Sequence, residues 1–230
     1  VSRVRVGCPQ TLSAVLSSRP ALRVRPGAFT PGGPPVPHVA KDFSHLKGSL
    51  AGFSDKQLDA HLFLYGGYVA KLNEIEEKLK AADRSKANYS FNEYSELKRR
   101  EAVAFNGTYL HQLYFENLSG RGGQPSDAFQ AAATAAFGSW DAYVADVKGS
   151  AASTPGWVLT TRNRVDGALH NYIMYEHHIG LPAHQDILLA LDCWEHAFFI
   201  DFGVKKADYL AAFLQNVDWN VVNQRFAALR

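Results

Sequence analysis

Leu188-Leu189-Ala190-Leu191-Asp192-Cys193-Trp194-Glu195-His196-Ala197-Phe198-Phe199 decides how this chain is read. Its first four residues form a short apolar run, which suits a buried strand. A carboxylate, an indole, a second carboxylate and an imidazole follow within five residues. Burying Asp192 and His196 costs free energy unless they pair with each other or hold a cation. Two readings fit the spacing: a hydrogen-bonded Asp–His pair beneath a tryptophan, or two ligands of a metal. Carboxylate oxygen with imidazole nitrogen suits iron, manganese or zinc.

Outward from this stretch, composition narrows the class. The chain has 230 residues, 47% of them apolar, enough for a sizeable core in one large or two small domains. No apolar run approaches the roughly 20 residues of a membrane span. A net charge of +2 does not suggest a nucleic-acid binder. Two cysteines, Cys8 and Cys193, are too few for a disulfide framework.

Residues 1–40 differ from the rest. No acidic residue precedes Asp42, whereas Arg3, Arg5, Arg19, Arg23 and Arg25 do. Pro26-Gly27-Ala28-Phe29-Thr30-Pro31-Gly32-Gly33-Pro34-Pro35-Val36-Pro37 reads as a flexible linker. The segment fits a transit peptide, a translated upstream region or a flexible tail, and carries no chemistry. Localisation is then cytoplasmic, or organellar if the leader is a transit peptide.

Ser54-Asp55, with Gln57 behind it, predicts a helix start. Leu58, Leu62, Tyr65, Val69, Leu72, Ile75 and Leu79 recur at helical spacing to about Ala82, with His61 on the buried side. A second helix is predicted from about Asn88-Tyr89-Ser90 through His111 to Leu118. Gly120-Arg121-Gly122-Gly123-Gln124-Pro125 breaks the pattern and sets a domain boundary, giving domains over 41–122 and 123–230. Helices over 126–136 and 138–148 follow. Gly156 to Leu159 and Leu169 to Met174 read as strands around a Val165-Asp166-Gly167 turn, with Leu188 to Leu191 as a third strand. Residues 218–226 close the chain as a helix. His177, His178 and His184 lie in one loop, where a separate zinc site lacks cysteines or helical histidine spacing to support it.

Asp192-Cys193-Trp194-Glu195-His196-Ala197 followed by two aromatics resembles the signature of the iron/manganese superoxide dismutases. Further elements of residues 41–230 resemble the same family: Tyr68-Val69-Ala70-Lys71-Leu72-Asn73, His111 with its aromatics and Asn117-Leu118, Phe137-Gly138-Ser139-Trp140, Tyr175-Glu176-His177-His178, and Phe202-Gly203-Val204-Lys205-Lys206. The resemblance implies an α+β fold. An N-terminal long helical hairpin domain would pack on a C-terminal α/β domain with a three-stranded antiparallel sheet.

It further implies His61, His111, Asp192 and His196 as ligands of one iron ion per chain, with manganese as the alternative. Tyr68 would be the gateway tyrosine, with Tyr65 as alternative, because His61 stands seven residues before Tyr68 where the family usually has eight. His177 would stand beside the metal's solvent ligand, a role some members give to a Gln at the position of Gly107. Trp194 and Trp157 would keep the site dry, and Lys206 would lie at the substrate funnel. Glu195 would bridge to a ligand histidine of a second copy, in a homodimer or homotetramer. A His–Tyr pair that often crosses the dimer would be absent, since Tyr65 and Phe199 stand at its positions. The implied activity is disproportionation of superoxide. The alternatives are a dismutase fold kept for a structural role, or an unrelated metal-dependent oxidase or hydrolase.

Overall fold

The structure, a computed structural model, describes residues 37–228. The predicted leader lies outside the described residues as far as residue 36.

Helix α1 spans Asp55–Ala81. Ser54 caps it, its hydroxyl accepting the Gln57 N–H at 3.1 Å. It runs as an uninterrupted α-helix whose buried stripe is Leu58, His61, Tyr65, Val69, Leu72, Ile75 and Leu79. Helix α2, Glu93–Glu116, starts at the capping residue Asn92 and buries Ala104, Gly107, Thr108, Leu110, His111, Tyr114 and Phe115. The two helices lie against each other along these faces.

His38 fastens the extended chain before α1 to this pair. Its backbone exchanges two bonds with the Asn73 amide at 2.8 and 2.9 Å. Its ring nitrogens meet Tyr109 Oη at 2.7 Å and Glu76 Oε1 at 3.0 Å.

After an irregular passage through Gly120–Pro125, α3 (Asp127–Phe137) and α4 (Trp140–Ala152) follow. Each opens on a serine cap, Ser126 and Ser139, and Gly138 at φ 93° ends α3. Strands β1 (Trp157–Asn163), β2 (Leu169–Met174) and β3 (Gln185–Asp192) form one antiparallel sheet in the order β2-β1-β3. The expected turn is present, with Gly167 at φ 75°. β1 and β3 extend beyond their apolar cores into polar ends such as Arg162, Asn163 and Gln185, which alternation in sequence does not announce. Helices α5 (Phe199–Phe202), α6 (Lys206–Gln215) and α7 (Trp219–Ala228) complete the chain.

The helices meet the sheet at the free edge of β3. The side-chain amide of Asn117, just past α2, bonds both backbone groups of Ala190 at 3.1 Å. Arg225 of α7 donates to Leu188 O at 3.0 Å. Side chains thus take the place of a fourth strand and leave this edge covered. The same docking carries the end of β3, with Asp192, up to the buried faces of α1 and α2.

Candidate metal centre

The four predicted ligand residues come from four elements. His61 lies on α1, His111 on α2, Asp192 ends β3, and His196 sits in the short helical turn Glu195–Ala197. His61, His111 and Asp192 are 1% exposed or less. Asp192 sits opposite Trp157 in the sheet register, and its backbone carbonyl accepts Tyr209 Oη–H at 2.6 Å. Asp192 Oδ1 accepts the Trp194 N–H at 2.9 Å, which leaves Oδ2 facing the histidines.

One potential ligand atom from each residue falls within 4.8 Å of all the others. Nε2 of His61, His111 and His196 lie 3.2, 3.4 and 3.1 Å from Asp192 Oδ2, and the His111 and His196 nitrogens lie 3.3 Å apart. Four donors about 2.0–2.2 Å from one ion would stand roughly 3–3.6 Å apart.

Protonation sharpens the point. His111 Nδ1 lies 2.5 Å from the Gly107 carbonyl, an acceptor only, so this nitrogen carries the proton. Burial pushes the His111 pKa down to about 3, so the ring is neutral. Its Nε2 therefore aims a lone pair at a carboxylate oxygen and at a second imidazole nitrogen. Burial likewise lowers His61. For Asp192 burial works to raise the pKa, but His196 and His61 beside it more than offset this and hold it well below the usual carboxylate range. A His111 lone pair aimed at an ionised carboxylate, with no proton between the two and two more imidazole nitrogens within 3.2 Å of the same oxygen, fits a bound cation.

Aromatic groups wall this cluster. Trp157 meets the His111 ring edge-on at 5.1 Å, and Trp194 stacks on His196 at 6.3 Å. Tyr68 stacks on His111 at 5.3 Å, over Gly107. A Cβ at Gly107 would come 2.4 Å from Tyr68 Cδ1, so no Gln fits there with this Tyr68 pose. Tyr68 Oη lies 2.7 Å from His177 Nε2, and His177 Nδ1 accepts the Trp157 indole N–H at 2.9 Å. Burial lowers His177 and raises Tyr68, which keeps both neutral near pH 7.

Tyr65 is placed elsewhere. It is 2% exposed, packs against Phe115, and its hydroxyl accepts the Lys41 N–H at 3.1 Å. Lys206 Nζ donates to Thr154 O at 2.8 Å. Glu195 is exposed, beside Phe199 and Ile200, which are 51% and 45% exposed. His178 and His184 lie in the solvent-exposed loop, and neither joins a metal-holding group among the described residues. Asn106, which carries no signature in the sequence, donates from its amide to the His177 carbonyl at 2.6 Å.

Comparison with known proteins agrees with this architecture. Residues 125–225 match the family described as iron/manganese superoxide dismutases, C-terminal domain. A superoxide dismutase [Fe] of Aquifex aeolicus (strain VF5) is 37% identical over 195 residues, covering 82% of this chain and 92% of that protein. A superoxide dismutase [Fe] of Cupriavidus metallidurans is 37% identical over 184 residues, 78% of this chain and 91% of that protein. A superoxide dismutase [Mn] 2 of Haloferax volcanii is 30% identical over 161 residues, 70% of this chain and 79% of that protein. By similarity over most of its length, this chain belongs to the iron/manganese superoxide dismutase family.

Proposed function

We propose that this protein is a superoxide dismutase using one iron ion per chain, with manganese as the alternative, held by His61, His111, Asp192 and His196. The observation that supports this most is the His111 lone pair aimed at Asp192 Oδ2 across 3.4 Å, an arrangement that a cation between them would satisfy. A bound ion would supply the one-electron chemistry that oxidises one superoxide to dioxygen and reduces the next, with two protons, to hydrogen peroxide.

The chain's own residues do the rest. Three neutral imidazoles and one carboxylate give the ion one compensating charge in a dry pocket. Tyr68 and His177 act on protons. Because Trp157 donates to His177 Nδ1, the His177 proton lies on Nε2 and is donated to Tyr68 Oη. The Tyr68 hydroxyl proton is then free to point into the site, where the reduced product needs one. Trp157 and Trp194 exclude water from the ligand rings.

Two domains, a helical hairpin over 41–122 and an α/β unit over 123–230, would each contribute two ligands. The exposed Glu195, with exposed Phe199 and Ile200 after it, supports a two-fold contact and hence a homodimer or homotetramer. Lys206, engaged with Thr154, would add positive potential near the entrance rather than contact substrate. Among the described residues no helix is long and apolar enough to cross a membrane. We place the protein in the cytoplasm, or in an organelle if residues 1–40 are a transit peptide.

The test is metal analysis alongside a superoxide-removal assay on the same sample. About one iron or manganese per chain, with activity tracking that metal, is expected. A chain that stays inactive after loading with either metal would instead be a dismutase fold put to another use.

A further inference from the structure

The loop Tyr175–Gly180 exposes every side chain except that of His177, which is 3% exposed. Something must hold this one residue inward. The loop is tight: Tyr175 N–H bonds Ile179 O at 3.1 Å and Ile179 N–H bonds Glu176 O at 3.3 Å. Gly180 closes it at φ 124°, where an added Cβ would meet Ile173 O at 2.4 Å. These bonds shape the loop but do not attach its tip to the rest of the protein. The attachment at His177 itself has three parts. Trp157 of β1 and Tyr68 of α1 take the two ring nitrogens. Asn106 of α2 takes the backbone carbonyl at 2.6 Å.

Asn106 sits one residue before Gly107, which is itself one helical turn before His111. Along this turn of α2, the Asn106 amide fixes His177, Gly107 leaves room for the Tyr68 ring, and the Gly107 carbonyl orients His111. Three groups that must agree in position are thus referred to one rigid element. We propose that Asn106 is a positioning residue for the proposed reaction. Its N–H bond to the His177 carbonyl sets the depth and tilt of the His177 ring, and through it the direction of the Tyr68 hydroxyl. Without that bond His177 is held only at its ring nitrogens, so the loop backbone can shift against α2 and tilt the ring, while the ligand residues, to none of which the Asn106 side chain is hydrogen-bonded among the described residues, stay in place. This inference rests on the roles proposed above for His177 and Tyr68.

The experiment uses the full-length, metal-loaded protein and the substitutions Asn106→Leu, close in volume but lacking the N–H, and Asn106→Gln, which keeps an amide donor. Metal content and melting temperature are measured first, then activity, the midpoint potential of the bound iron, and azide affinity by optical titration. Asn106→Leu is expected to keep wild-type metal content, lose activity on the order of tenfold, and shift both the potential and the azide dissociation constant. Asn106→Gln is expected to recover most of each. Should Asn106→Leu prove too unstable to purify, Asn106→Ala, which likewise lacks a donor, is measured in its place with the same expectation. Wild-type potential and azide affinity in a metal-loaded variant would overturn the proposal, reducing Asn106 to a loop fastener. If the wild-type protein took up neither iron nor manganese, the underlying functional reading would fail instead, and metal content alone would show that.

Discussion

The indole nitrogen of Trp157 donates to Nδ1 of His177 at 2.9 Å, and this single bond sets the direction of every proton beyond it. An indole can only donate, so His177 must accept at Nδ1 and carry its proton on Nε2, facing Tyr68. Trp157 is fully buried and opposite Asp192 in the sheet, so the same residue that packs against His111 in the candidate metal centre also selects the His177 tautomer.

Trp157→Phe should therefore do two things. It removes the donor, so His177 can carry its proton on either nitrogen, and activity is expected to fall about 10–100-fold with metal retained. It also leaves a small cavity in the core, costing roughly 1–3 kcal/mol. Steady-state assay and calorimetry on samples of equal metal content separate the two effects.

Gly107→Ala tests the close approach of Tyr68 to α2. In an exposed helix the change would stabilise by up to about 1 kcal/mol. Here the new methyl meets the Tyr68 ring at 2.4 to 2.8 Å, so the ring must move away from its place on His111. A net destabilisation of about 1–2 kcal/mol is expected. Activity should drop because Tyr68 leaves its bond to His177. A variant as stable and active as the parent would show that Tyr68 shifts at no cost.

Thr108 points the other way. It is 2% exposed, and its hydroxyl has no hydrogen-bond partner among the described residues. Thr108→Val replaces that hydroxyl by a methyl of similar size. The expected gain is about 1 kcal/mol, or roughly 2–4 °C in melting temperature, with activity unchanged. A loss of stability on calorimetry would instead mean that water bonds this group.

Metal removal should be costly. An ion at a concentration about 1,000 times its dissociation constant adds about 4 kcal/mol to folding stability, equivalent to about 8–16 °C in a chain of this size. Protein stripped of metal by unfolding with a chelator, then refolded, should melt lower by that amount. Adding iron or manganese should restore it. Equal melting temperatures for the two forms would argue against a shared ion at His61, His111, Asp192 and His196.

Much of the site was legible in the sequence because its groups sit at fixed local spacings. Asp192 and His196 share one motif, and His61 falls on the apolar stripe of a periodic helix, whereas His111 is legible only through its resemblance to the family's second ligand helix. The choice between Tyr65 and Tyr68 was not legible. At 100° per residue, positions four and seven after His61 both return to its face of α1, so periodicity cannot separate them. They differ along the axis: Tyr65 reaches the chain at Lys41, and Tyr68 reaches His177. The polar ends of β1 and β3 were missed because pairing, not apolar alternation, makes them strands. Asn106 and His38 were missed because their bonds join residues 71 and up to 71 positions apart, and no local pattern encodes such a bond.

The covered edge of β3 and the three nearly inaccessible ligand candidates have a consequence for how the protein is loaded. His61 and Asp192 are separated by 131 positions in the chain, so an ion held between them closes a long loop much as a covalent crosslink would. With His61, His111 and Asp192 at 1% exposure or less and the His196 side chain 28% exposed, the site meets its surroundings at His196, while the other three ligand candidates are closed over. Freeing such an ion from the two helical histidines and Asp192 at once would require α1 and α2 to part from the sheet, breaking the Asn117 and Arg225 contacts on the way. An ion gripped from three buried sides would thus leave slowly, so the metal the protein carries would depend on the supply of ions when it was loaded as well as on affinity.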